Sequence, residues 1–352
     1  MSYQQHTSLQ TPMDSLKPIG PTKGSVRGLG IESLPKLILG GATFNTQYND
    51  DPASLPIIDM IRFAMQHGVR AIDTSPYYGD SELLYGAALE SLRQEFPRED
   101  YFICTKVGRV RLEEFDYSRS HIRFSVLRSC ERLRTKYLDA VFLHDVEFVE
   151  TKQVLEALQE LRKLRDEGII LNFGISGYPV EHLLNIALRC KAHPQIGALD
   201  VVLSYANLNL QNRTLHDYAP RFREDAGVKV IENGSILSMS LLRSQETKAF
   251  HPCSAELRKL SSEAAQYAAS QNEDLASLAT RYAFKEWKNE GPTVLGVSSV
   301  AELRVALESY WAVADNQGKL SEKDARLVHE IQSRIFGAHM NETWPSGIDH
   351  ED

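Results

Sequence analysis

The chain has 352 residues, 42% of them hydrophobic and 24% charged, a balance that supports a large core and excludes general disorder. Its 47 acidic and 39 basic side chains leave a formal charge of -8, which argues against a nucleic-acid or anionic-membrane surface, because those partners reward clustered Lys and Arg. No run approaches the roughly 18 apolar residues of a membrane helix and the start of the chain lacks a signal-peptide core, so the cytosol is the expected compartment.

Residues 1–30 mix Gln, Ser, Thr, Pro and Gly without periodicity, which predicts a flexible arm and leaves residues 31–352 as one domain. From Leu34 the chain alternates. A strand-like run over 36–39 is closed by Gly40 and Gly41, and residues 57–65 have helical spacing. Residues 71–72 end the second strand and precede a helix over 81–95. The third strand, 101–105, precedes a helix over 118–135. A fourth strand at 138–144 leads into a helix over 151–167, which Gly168 caps. Then come a strand at 169–174, a helix at 180–190 and strands at 199–204 and 227–231. After an irregular stretch, helices over 255–270 and 275–287 precede the eighth strand at 292–295. A helix over 300–314 completes the count, with an extra one at 321–336. The stretch from Gly337, with Met340 and Trp344, either folds over the mouth or frays.

Eight short strands alternating with helices imply parallel crossovers, and eight strands close a barrel. The predicted fold is therefore α/β, a (β/α)8 TIM barrel with an N-terminal arm and an extra C-terminal helix. An open doubly wound sheet is the alternative, but its dinucleotide fingerprint is missing: Gly28 and Gly30 are followed by Ser33 where a third Gly belongs, and no strand precedes them.

Three successive strands end in chemistry. Asp73 and Tyr78 follow the second, Lys106 ends the third and His144 the fourth. Singly, these are a turn residue, a packing ring, a snorkelling ammonium and a structural imidazole. Together, at the C-terminal ends of barrel strands, they stand on the face where TIM barrels assemble active sites.

That order resembles the aldo-keto reductase superfamily. The run Asp73-Thr-Ser-Pro-Tyr-Tyr78-Gly79, with Glu82 and Gly86 behind it, matches the family's longer motif, and the likeness extends over residues 34–307. The resemblance implies an oxidoreductase in which Asp73, Tyr78, Lys106 and His144 are catalytic. Physically, a phenol with a pKa near 10 is a poor base, whereas an ammonium beside its oxygen favours phenolate and a buried Asp keeps that ammonium charged. Tyr78 is thus expected to exchange a proton near working pH, with His144 holding the reacting oxygen. Hydride has to reach or leave a cofactor, because no side chain carries one.

The resemblance also implies a nicotinamide dinucleotide extended over the strand ends. Its expected contacts are Gly41, Ser176, Ser204, Tyr205, Asn207, Ser235, Leu237, Gly296, Ser298, Ser299 and Glu302. Gly177 replaces a usual Asn, and the stacking aromatic after strand seven is absent, so Tyr205 is the candidate substitute. The last helix opens at Ser298 and Ser299, where N-terminal amides suit phosphate. NADP-dependent relatives carry cations here. This chain has Val297 and Glu302 instead, and a carboxylate repels a 2′-phosphate while accepting a bond from a free 2′-hydroxyl, so NAD is expected ahead of NADP.

Segments around Tyr205, Met239, Pro252 and Ser298 look like the branch of L-galactose dehydrogenases and fungal NAD-linked D-arabinose dehydrogenases. That branch implies oxidation of the anomeric carbon of a free aldose to a lactone, with Phe44, Tyr77 and Phe148 as pocket walls. Two other readings stay open: an NADPH-dependent aldehyde or pyridoxal-type reductase, and a regulatory barrel resembling potassium-channel β subunits. No metal site is expected, because Cys104, Cys130, Cys190 and Cys253 are widely spaced without ligand-like His neighbours. They read as reduced thiols. Oligomeric state is not legible.

Overall fold

The computed structural model describes residues 16–350. Its strands are β1 (Leu37–Gly40), β2 (Ala71–Asp73), β3 (Phe102–Val107), β4 (Leu138–His144), β5 (Ile170–Gly177), β6 (Val201–Tyr205), β7 (Val230–Gly234) and β8 (Thr293–Gly296). They close into a parallel barrel in the order β1-β8-β7-β6-β5-β4-β3-β2, β1 pairing with β8 through Gly40 and Gly296. The helices are α1 (Ile57–Gln66), α2 (Ser81–Ser91), α3 (Arg119–Arg132), α4 (Thr151–Asp166), α5 (Val180–Ala192), α6 (Thr214–Glu224), α7 (Ala255–Ser270), α8 (Leu275–Trp287), α9 (Val300–Ala314) and α10 (Glu322–Glu330). Strands covered by helices on one side and packed side chains on the other read as continuous apolar runs, as residues 140–143 of β4 do.

Several elements differ from the sequence pattern for physical reasons. The seventh strand starts at Val230 rather than Gly227, whose φ of +70 makes a turn, and it runs on into Glu232 and Asn233, polar residues with no exposed surface. Helix α6 forms despite Pro220 because Leu215, Ala219 and Phe222 bury one face. The last predicted helix stops as α-helix at Glu330 and continues as a π-turn over Ile331–Phe336. A short hairpin, Arg109–Arg111 with Glu114–Phe115, follows β3.

The expected N-terminal arm divides. Residues 1–15 lie outside the described residues, whereas 16–30 run along the base of the barrel, with Val26 N–H donating to Glu99 O at 2.6 Å and Arg70 donating to Gly24 O at 2.6 Å. Val26, Ile31 and Leu34 plug the N-terminal ends of the strands, in one buried cluster with Ile38 and Phe102. That contact buries apolar surface worth about 1.5–3 kcal/mol per large side chain.

Helices α2 and α3 meet at Gly86, where an added Cβ would lie 1.9 Å from Arg132 O. Beside that contact, the buried Glu82 accepts from Thr105 Oγ1 at 2.8 Å and lies 3.5 Å from Arg132. Thr105 precedes Lys106 on β3, so one carboxylate ties both helices to the strand that carries the ammonium.

Candidate active site

Alternation along the strands sends Asp73 of β2, Lys106 of β3 and His144 of β4 into the upper end of the barrel. Lys106 Nζ donates to Asp73 Oδ1 at 2.5 Å and to Thr74 O at 3.0 Å, and it lies 4.9 Å from the centroid of the Tyr78 ring. Burial opposes the ammonium, but Asp73 and Tyr78 outweigh it and hold Lys106 charged above its ordinary range. Burial pushes the Tyr78 phenol up to about 12, while Lys106 pulls it back. This corrects the expectation of a phenol titrating near working pH: desolvation exceeds the effect of the ammonium, so the unliganded site holds a neutral Tyr78.

His144 takes its orientation from Ser75. The serine Oγ accepts from Tyr77 N–H at 3.1 Å and lies 3.0 Å from His144 Nδ1. With its hydroxyl hydrogen directed to Nδ1, the tautomer carries its proton on Nε2. Burial lowers the imidazole well below its usual range, and Lys106 and Arg109 add to this, so His144 is neutral. Its ring meets that of Tyr78 edge-on with centroids 5.5 Å apart. On the neighbouring strand, Ser176 pairs in register with His144. The set comprises an acid or base, a cation that tunes it and a neutral donor, which suits proton transfer at a carbon-bound oxygen.

A profile described as the Aldo/keto reductase family matches residues 36–325. The chain belongs to that family. It is 58% identical over 326 residues to D-arabinose 1-dehydrogenase of Saccharomyces cerevisiae, covering 92% of this chain and 97% of the relative. To L-galactose dehydrogenase of Arabidopsis thaliana it is 33% identical, covering 95% and 98%. Among solved structures, an aldo-keto reductase from Bacillus halodurans superposes with a TM-score of 0.62 at 20% identity, over 85% of this chain and 92% of that one. A glycerol dehydrogenase from Gluconobacter oxydans gives 0.62 at 19%, over 92% and 98%. Both share the fold. Among the described residues no helix is long and apolar enough to cross a membrane.

Aldo/keto reductases work with a nicotinamide cofactor, and the residues around the mouth fit one. Gly296 is exposed at the end of β8, and Ser298 and Ser299 are half-exposed where α9 begins. Glu302 already occupies part of that helix start: its Oε2 accepts from Ser298 N–H at 2.7 Å, while Ser299 Oγ accepts from Glu302 N–H at 3.1 Å. Ser235 has a φ of +56 and accepts from Met239 N–H at 2.8 Å, and Leu237 is half-buried nearby. Tyr205 sits 5.6 Å from Tyr178, which stacks on Trp344 at 4.3 Å. Residues 339–350 thus fold over the mouth, with Ile348 N–H donating to Glu147 O at 2.9 Å.

Four expected contacts turn elsewhere. Asn207 spends its amide nitrogen on Tyr178 O at 2.5 Å, Ser204 Oγ at 3.0 Å and Tyr205 O at 3.0 Å, so Asn207 and the fully buried Ser204 staple loops. Gly41 faces α2, where a Cβ would meet Ser81 Oγ at 2.4 Å. Phe44, expected as a pocket wall, is fully buried against Tyr85 with centroids 5.0 Å apart. Tyr77 and Phe148 remain half-exposed at the mouth.

The sequence reading missed Arg109, Phe115 and Asp145. The Arg109 guanidinium lies 4.2 Å from the Tyr77 ring centroid, 5.3 Å from Phe115 and 5.7 Å from Phe148, and it pairs with Asp145. Asp145 follows His144 directly. The strand-end rule that selected His144 was a signal for it.

Proposed function

We propose that the protein oxidises the anomeric carbon of a free aldose, D-arabinose or a sugar like it, to an aldonolactone. One observation carries the reading: Lys106 is held between Asp73 and Tyr78 beside a neutral His144, in a chain 58% identical to a D-arabinose 1-dehydrogenase.

In the closed sugar, C1 bears one hydrogen and one hydroxyl. His144 donates from Nε2 to the C1 oxygen and holds it against Tyr78. Tyr78, as phenolate, takes the hydroxyl proton while the C1–H bond breaks and the C1–O double bond of the lactone forms. Lys106 stabilises that phenolate, and Asp73 keeps Lys106 charged and aimed. Hydride acceptance, with a positive ring charge that favours phenolate, is what the oxidised nicotinamide cofactor supplies when bound. Because the phenol rests near 12, oxidation should accelerate as pH rises. Tyr77 and Phe148 flank the sugar.

NAD is the proposed dinucleotide, with NADP the poorer one. Val297 and Glu302 offer no cation at the start of α9, and the Glu302 carboxylate repels a 2′-phosphate. The proposed contacts are Ser176, Tyr205, Ser235, Leu237, Gly296, Ser298, Ser299 and Glu302. Incubation with D-arabinose, L-galactose, L-fucose and simple aldehydes against both dinucleotides tests the whole reading. NADH should form with a free aldose. Its absence rejects aldose oxidation, and a higher kcat/KM with NADP rejects the cofactor assignment.

A further inference from the structure

The mouth holds a second ion pair that the proton-transfer set does not use. Arg109 enters the short hairpin after β3, and Asp145 follows β4 with a φ of +58, a left-handed conformation that costs an ordinary residue free energy. One atom of that carboxylate is contested. Asp145 Oδ2 accepts from Arg109 Nη1 and lies 3.7 Å from His144 Nε2, the nitrogen that Ser75 leaves as the donor.

The guanidinium is fixed by more than the carboxylate. It lies 4.2 Å from the Tyr77 ring centroid and within 5.7 Å of those of Phe115 and Phe148, which stack on each other, and its Nη2 donates to Leu112 O at 2.8 Å. A planar cation suits aromatic faces as an ammonium does not. Around the pair, burial pushes the phenols of Tyr78, Tyr117 and Tyr205 up and lifts the Glu147 carboxyl to about 8, so these groups are neutral near pH 7. Tyr77 meets the imidazole edge-on at 5.7 Å. The charges facing His144 are therefore two compensated pairs, Lys106 with Asp73 and Arg109 with Asp145.

We propose that Arg109 is a positioning residue: by holding Asp145 Oδ2 it keeps the Nε2–H of His144 free for the C1 oxygen and keeps that imidazole from taking a second proton. Without the guanidinium, Asp145 is a buried carboxylate whose nearest donor is the imidazole, and the two side chains gain a proton that the native site excludes. An imidazolium bonded to Oδ2 has turned its Nε2–H away from the sugar. The role rests on the aldose oxidation proposed above.

Two measurements test it: kcat/KM for D-arabinose against pH at saturating NAD, and NMR titration of the His144 imidazole in the cofactor-free protein, its resonance assigned by its loss in His144→Gln. In wild type only Tyr78 has to lose a proton, so log kcat/KM should rise with a slope of about 1 between about pH 6 and 8. The imidazole should stay neutral down to about pH 5. Arg109→Met should steepen the slope to about 2 below an apparent value near 7, losing about tenfold more activity at pH 6 than at pH 8, and His144 should titrate with that same value. Arg109→Gln, which still donates to Asp145 but carries no charge, gives the same readouts if the methionine variant fails to fold. Adding Asp145→Asn to either variant removes the unpaired carboxylate and should return the slope to about 1, which repair of a lost loop contact would not do. An unchanged slope or a neutral imidazole in the single variants overturns the inference, and so does a double variant that stays as steep as the single one. A wild type that forms no NADH from any aldose overturns the proposed function, and the imidazole titration then decides the control by Arg109 alone.

Discussion

At the N-terminal ends of the strands the barrel is closed by Val26, Ile31 and Leu34 in one cluster with Phe102, whereas the C-terminal ends carry Asp73, Lys106 and His144. The lower end consists of groups that gain by leaving water. The upper end consists of groups that lose by it and are retained through mutual contacts such as the 2.5 Å one between Lys106 and Asp73. The difference teaches that stability and chemistry are separable along the same strands, and four perturbations test how cleanly.

The largest effect is expected from Tyr78→Phe, which removes the proton acceptor while leaving the ring in place. The oxidation rate should fall about 10³-fold with little change in the melting midpoint, and a surviving rate would move the proton transfer elsewhere. Ile31→Ala probes the opposite end. Its side chain is 1% exposed, so truncation should cost about 3 kcal/mol in urea unfolding and leave kcat/KM of the folded enzyme unchanged. A loss of turnover there would mean that the two ends communicate.

Glu232 lies between the two ends, within the barrel, and neither of its carboxylate oxygens has a hydrogen-bond partner. Burial, and then the charge of Asp73, raises its pKa to about 8 against the pull of Lys106. The unfolded chain releases this proton near 4.3. Between those values the unfolded state binds fewer protons, so stability declines as pH rises through the window and levels off above it. Glu232→Gln removes the slope, and its advantage over wild type should grow by about 1.3 kcal/mol per pH unit between pH 5 and pH 7. Equal stability at both pH values would show that Glu232 is already ionised in the fold. The smallest effect is expected outside the barrel, where Arg62 and Glu95 pair at 3.0 Å in solvent. Arg62→Ala should move the melting midpoint by no more than about 1 °C.

Much of the architecture was legible because β4, α7, α8 and α9 are uninterrupted in their own periods, and their bounds match the pattern. β7 was misplaced because Glu232 and Asn233 are polar in a position where only tertiary closure buries them. α6 was passed over because Pro220 reads as a breaker while its buried face holds the helix. At the mouth, Asp73, Lys106 and His144 stood out because strand ends are visible in sequence. The direction of a side chain is not, which is why Phe44, Gly41 and Asn207 were taken for the cleft. Arg109 was missed, because only the hairpin brings it to Tyr77, Phe148 and Asp145.

Gly86 makes no contact with the reacting groups, yet it governs them mechanically. With 1.9 Å between its missing Cβ and Arg132 O, α2 rides on α3 like a shaft in a bearing without clearance. Glu82, one turn away on the same helix, grips Thr105 beside Lys106. A single methyl group at position 86 would therefore lever β2 against β3 and misalign Asp73 with Lys106 from outside the cylinder, much as a bent axle throws two meshed gears out of step.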